Sequence, residues 1–240
     1  MRSLLVIGWL LVPVGFGIWH YGPGQDHLLL DDVGKALRHA DALAANERWW
    51  EAADAYTKAL GQLPADKLAE SRQVRVQRAK AYMLSQQLPA AYDDMNALVT
   101  EMGADKAADP TILAAARSTQ ANARYYLTWL MRLEGVAPAE WEPEIEAARQ
   151  TYRRLAEEAE SNGDAKSAER HRKDLESAIR LARMEPGELQ GLPLPKQCNG
   201  CCSGQCKGKK PGNNKNKGKG KSDKESRSAG SGPPPDGSGH

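Results

Sequence analysis

The densest chemistry in the 240-residue chain is a run of four thiols, Cys198-x2-Cys201-Cys202-x3-Cys206. As thiolates, four sulfurs can close a tetrahedral site for zinc or a similar thiophilic metal. Their spacing is tighter than in zinc modules, which separate two cysteine pairs by a longer loop. In an oxidising compartment the same residues form disulfides, within the segment or between chains. The residues also allow no defined thiol state. No other constellation of this kind stands out. His20, His27, His39, His171 and His240 are scattered. There is no His-Glu-x-x-His, no Gly-x-Ser-x-Gly and no phosphate loop. The acidic pairs Glu142/Glu144 and Glu157/Glu158 lie among arginines and read as solvated, ion-paired helix faces. The sequence thus points away from an enzyme, from a small-molecule substrate and from any cofactor other than a metal at the cysteines.

The rest of the chain reads as scaffold. Aromatic residues are only 6% and alanine is abundant, which suits packed helices. Ala52-x3-Tyr56-x2-Ala59-x4-Pro64 has the small–large–small spacing of a helix packed closely on its neighbour and stopped by proline. Ala40 and Leu43 occupy the matching positions upstream, and Trp49 stands at the turn. The pattern recurs with Ala79, Ala81 and Tyr82, followed by Leu88, Ala91, Met95 and Leu98. Asp109-Pro110 predicts a capped helix start for a longer helix carrying Ala121, Ala123, Tyr125, Tyr126 and Trp129. Gly135 to Pro138 breaks it. Ala148, Tyr152 and Leu155 repeat the second-helix spacing, and Asn162-Gly163-Asp164 gives a stop, a turn and a cap. A charged helix from Ala165 to Met184 would cover the end of the stack.

On these residues the stretch 33–184 resembles a tetratricopeptide-repeat domain of about three helical-hairpin units plus a capping helix. The expected class is all-α. The resemblance implies that a protein partner binds along the concave face built by the first helix of each hairpin. Aligned on the motif, that face would present Leu37 and Asp41 from the first unit. The second would give Gln73, Val76, Lys80 and Met83, and the third Arg117, Gln120 and Arg124. Such a mixed polar and basic floor suits an extended or acidic segment. Asp41 stands where carboxylate-clamp members of the family place Asn, which puts recognition of a chaperone C-terminus in doubt. The succession of anchor, repeats and Cys/Lys/Gly tail is also similar to the small tetratricopeptide proteins of bacterial operons that encode MoxR-type ATPases and von Willebrand A-domain proteins.

The flanks differ from this body. Residues 4–19 carry no charge and follow Arg2. They predict a signal anchor or transmembrane helix over 1–21, with a cleaved signal or a buried helix as alternatives. Residues 22–32 read as a linker. Arg2 before the apolar run and Asp26, Asp31 and Asp32 after it put the N-terminus in the cytoplasm. The expected location is therefore the bacterial inner membrane, with repeats and tail on the periplasmic side. From residue 185 a tail is expected, first Cys-rich and then Lys/Gly-rich. From Gly191 on it has ten Lys/Arg against three Asp/Glu, a net +7, while the remainder carries −5. Its Lys, Gly, Asn, Ser and Pro cannot bury a core, so it is expected to be disordered. It lacks interleaved aromatics, and no nucleic-acid partner is expected. The functional expectation is a membrane-anchored interaction adaptor. The alternative is a metal- or thiol-active module carried by the cysteines, with the helices as scaffold.

Overall fold

The computed structural model describes residues 23 to 198, with side chains from residue 31 on, together with Trp9 and Val12. The expected signal anchor therefore falls almost wholly outside the described residues, as do Cys201, Cys202, Cys206 and the Lys/Gly-rich tail. Among the described residues there is no strand, and no helix is long and apolar enough to cross a membrane.

Among the described residues seven long helices follow one another: α1 (Pro23–Ala45), α2 (Trp49–Gln62), α3 (Leu68–Leu84), α4 (Leu88–Ala104), α5 (Pro110–Leu133), α6 (Pro138–Ser161) and α7 (Ala165–Arg183). A short α8 (Pro186–Gln190) and a 3₁₀ turn (Lys196–Cys198) complete them. The chain divides at Arg78/Ala79, within α3, into two compact units. In the first, α1 packs on α2; in the second, α4 packs on α5, α5 on α6 and α6 on α7.

One turn closes each hairpin, and its backbone geometry is repeated. The amide of Arg48 donates to Leu43 O, that of Gln87 to Tyr82 O, that of Val136 to Met131 O and that of Asp164 to Ala159 O, each at 2.9 Å. The residue just before each donor has a positive φ: Glu47 at 56°, Gln86 at 64°, Gly135 at 71° and Gly163 at 74°. This is the Schellman ending, in which one left-handed residue lets a helix satisfy its last carbonyls and reverse within a few residues. Between hairpins the links are longer. In one of them the Asp109 carboxylate caps α5 by accepting from the amides of Thr111 and Ile112 at 2.7 and 3.2 Å.

Counted from these turns, the core positions of the first helices coincide. Ala40, Ala79 and Thr128 stand at the same place in the three first helices, and all three are fully buried. In the second helices Ala52 and Ala91, each four residues after the turn's donor, are fully buried as well, and so is Ala148, twelve residues after its own. One turn later come Tyr56, Met95 and Tyr152, then Ala59, Leu98 and Leu155, all buried. The small residue permits close helix approach and the large one fills the space beside it.

Two boundaries differ from the sequence expectation. Helix α1 starts at Pro23 and runs through the stretch read as a linker. Proline at the first helical position loses no hydrogen bond there and has φ already set for a helix. At the other end, ordered packing continues past Met184: Leu189, Gln197 and Cys198 are all buried. A capping box between Glu185 and Glu188 starts α8, and the 3₁₀ turn and α8 both lie against α5.

Candidate functional site

Lys80 is the one residue of the expected groove whose surroundings call for something from outside. It sits on α3, half-buried, and burial together with the nearby Arg170 guanidinium of α7 lowers its pKa below the ordinary 10.5. No carboxylate among the described residues acts on Lys80. Arg170 donates to Ser167 Oγ at 3.0 Å and is felt by Asp164, the N-cap of its helix, and by Asp174 within it. The Arg170 charge thus acts on Lys80, and no carboxylate among the described residues offsets it there. Both belong to the second unit.

The other expected residues have different settings. Val76 and Met83 are buried, at 2% and 5% exposure, and so offer little to a partner. Gln73 is exposed and Leu37 half-exposed. The Asp41 carboxylate, also exposed, accepts from the Tyr56 hydroxyl at 2.6 Å. Burial first, and then this bond, raise the Tyr56 pKa well above the ordinary tyrosine value.

Arg117, Gln120 and Arg124 come together in a polar seam across α4, α5 and α6. Arg124 donates to Glu144 Oε2 at 3.0 Å and to Asn96 Oδ1 at 3.1 Å, and its guanidinium lies 5.7 Å from the centre of the Tyr92 ring. Gln120 donates to Asn96 Oδ1 at 2.7 Å, Tyr92 to Glu144 Oε1 at 2.9 Å, and Arg117 pairs with Glu158 at 3.8 Å. These groups satisfy one another. In the register set by the turns, Gln73, Val76 and Lys80 correspond to Asn122, Tyr125 and Trp129 of α5. Arg117, Gln120 and Arg124 therefore occupy another face. Arg170 was not among the expected residues, because α7 read as a charged cap and nothing in its spacing set Arg170 apart from the neighbouring Arg172 and Lys173.

The second unit also holds a buried polar cluster. On α7, His171 Nδ1 stands 3.5 Å from Asp174 Oδ2, and both side chains are buried. That distance is too long for a strong hydrogen bond. Asp174 Oδ1 has no hydrogen-bond partner among the described residues. Burial raises the Asp174 carboxyl above its ordinary value, against the pull of His171 and Arg170. Tyr125 of α5 feels Asp174 and Cys198, and Tyr152 of α6 donates to Asn122 Oδ1 at 2.7 Å. Cys198 itself is buried, its Sγ 3.6 Å from Tyr126 O. Among the described residues no group of three His, Cys, Asp or Glu is set to hold a metal.

No family model matches the chain, and no curated protein matches it.

Proposed function

We propose that this protein is a membrane-anchored adaptor of tetratricopeptide type, held by residues 1–21, that takes an acidic segment of a protein partner along its first-helix face. The hairpin packing, with one turn and one first-helix core position recurring, supports the repeat reading. The observation that carries the binding reading is Lys80, half-buried beside Arg170 with no carboxylate against it. Crowding two cations raises the free energy of the empty surface, and a carboxylate between them relieves it. The seam around Arg124 supplies rigidity and not affinity, because its charges are already paired.

The location follows the sequence reading: inner membrane of a bacterium, repeats on the periplasmic side. The partner is expected to be a protein at the same membrane.

A binding screen tests this. Full-length protein in mild detergent is offered matched peptide pools, one rich in Asp/Glu and one with Asn/Gln in their place. Acidic sequences should be selected, and their affinity should fall about tenfold or more in Lys80→Glu and in Arg170→Glu. Affinity should also weaken as pH rises through the lowered Lys80 pKa, because deprotonation removes the charge the ligand meets. Equal selection of both pools, or unchanged binding in both variants, would sink the reading.

A further inference from the structure

Arg170 serves two groups. On α7 the residues Ser167, Arg170 and Asp174 follow one another at steps of three and four, the spacing that makes side chains neighbours on one helix face. Arg170 donates to Ser167 Oγ at 3.0 Å, and its charge acts both on Lys80 of α3 and on Asp174. Asp174 is buried, at 3% exposure. Its Oδ1 has no hydrogen-bond partner among the described residues, and its Oδ2 stands 3.5 Å from His171 Nδ1. Tyr125 of α5 and Tyr152 of α6 also feel this carboxylate, but burial holds both hydroxyls neutral and they bring no positive charge. The pull that keeps Asp174 ionised comes from His171 and then from Arg170, and burial opposes it. Asp164, the N-cap of α7, feels Arg170 as well, but it is exposed and the Ser167 amide already donates to it at 3.0 Å. Asp174 is thus a buried acid whose charge depends in part on the guanidinium that an acidic partner would use.

We propose that an acidic segment seated at Lys80 and Arg170 drives a proton from solvent onto Asp174, so that the site holds its partner more tightly in acid than at neutral pH. The inference rests on the acidic-partner reading and adds the regulation of that site. A ligand carboxylate at Arg170 brings a second anion near Asp174 and offsets the guanidinium's charge. Both effects favour the uncharged carboxyl. One O–H bond forms on Asp174, water supplies the proton, and nothing is oxidised or reduced. A complex that holds more protons than its separate parts gains affinity as pH falls: one proton corresponds to about tenfold per pH unit, and half a proton to about threefold. Because burial already raises the carboxyl, the window opens upward from the ordinary 3.8. Lys80 takes up its own proton toward the alkaline end, in a separate window.

Two measurements test this, one with a ligand and one without. Full-length protein in mild detergent is titrated in a calorimeter, from about pH 4 to about pH 7, with a peptide whose acidic side chains are cysteic acid, because sulfonates stay ionised throughout that range. Buffers of different ionisation enthalpy give the number of protons taken up. About half a proton or more should enter per peptide at the acid end, with affinity rising about threefold or more per pH unit there. In Asp174→Asn the peptide should still bind, and the uptake should fall by about half or more. Without peptide, side-chain carboxyl ¹³C NMR should show Asp174 titrating about half a pH unit or more higher in Arg170→Gln than in the natural chain. Should Asp174→Asn not fold, this second measurement carries the test alone. Peptide binding without proton uptake, uptake unchanged in Asp174→Asn, or an unmoved Asp174 midpoint in Arg170→Gln would each overturn the proposal and leave the acidic-partner reading in place. No peptide binding at any pH would remove that reading and this proposal with it.

Discussion

Asp174 is an acid where the fold would prefer a neutral group. Its carboxyl is buried on α7, one oxygen lacks a hydrogen-bond partner among the described residues, and His171 is not close enough to compensate fully. Because burial raises its pKa above the ordinary 3.8, the folded chain holds this proton more tightly than the unfolded chain does. The group therefore supports folding below pH 3.8, and the support is lost as pH climbs through the raised value. At neutral pH the ionised form is a cost. Asp174→Asn should melt at a higher temperature than the natural protein at pH 7, and the two curves should converge as pH falls below the ordinary carboxylate value. Calorimetry at a series of pH values checks this. A variant less stable at pH 7 would mean that the charge interaction with His171 outweighs burial. Nothing in the sequence marks this site: His171 and Asp174 sit in a run of charged residues, and only the packing of α5 and α6 against that side of α7 distinguishes them.

The recurrent turn decides register at the level of elements. Glu47 and Gln86 hold a left-handed conformation that costs a side chain with a Cβ, whereas glycine takes it freely. Gln86→Gly should thus raise stability by up to about 1 kcal/mol, despite the extra freedom given to the unfolded chain. Gly163→Ala should lower it by about 1 kcal/mol. No atom lies within 4 Å of a Cβ built at Gly163, so the loss would report backbone strain alone. Denaturant titration of both variants measures the pair, and a neutral Gly163→Ala would remove the argument. The same turns explain what was legible. Ala52, Tyr56 and Ala59 announced a close-packed second helix, Asp109-Pro110 announced a start and Asn162-Gly163-Asp164 a reversal, and each does so by local chemistry that needs no tertiary information. The third hairpin misled because α5 has 24 residues where α3 has 17. A register carried forward to Arg117, Gln120 and Arg124 lands on another face of α5, whereas one counted back from the turn at Gly135 lands on Asn122, Tyr125 and Trp129.

For the whole chain, the composition of residues 185–240 concealed a division of labour. Proline, glycine and lysine dominate that stretch, and the average disguises a first part that packs. Leu189 and Cys198 are the anchors, and Arg132 prepares their approach. Its guanidinium donates to the carbonyls of Leu181 and Met184 at the end of α7 and lies 4.6 Å from the centre of the Trp141 ring. These bonds satisfy carbonyls that a helix end otherwise leaves open, and they fix the direction in which the chain departs toward α8. Shortening the chain to two different lengths separates the packed part from the rest. Ending it after Cys198 removes no packing seen among the described residues and should leave unfolding free energy within about 0.5 kcal/mol of the parent. Ending it after Met184 removes the burial of Leu189, about 2 kcal/mol, and uncovers apolar surface on α5, for a total of about 3 kcal/mol. Chemical denaturation of the two shortened chains reads the difference directly. Equal stability would mean that Pro186–Cys198 rests on the domain without holding it together. Loss confined to the shorter chain makes the segment an integral part of the domain, and its release would then expose core and not merely free a tail.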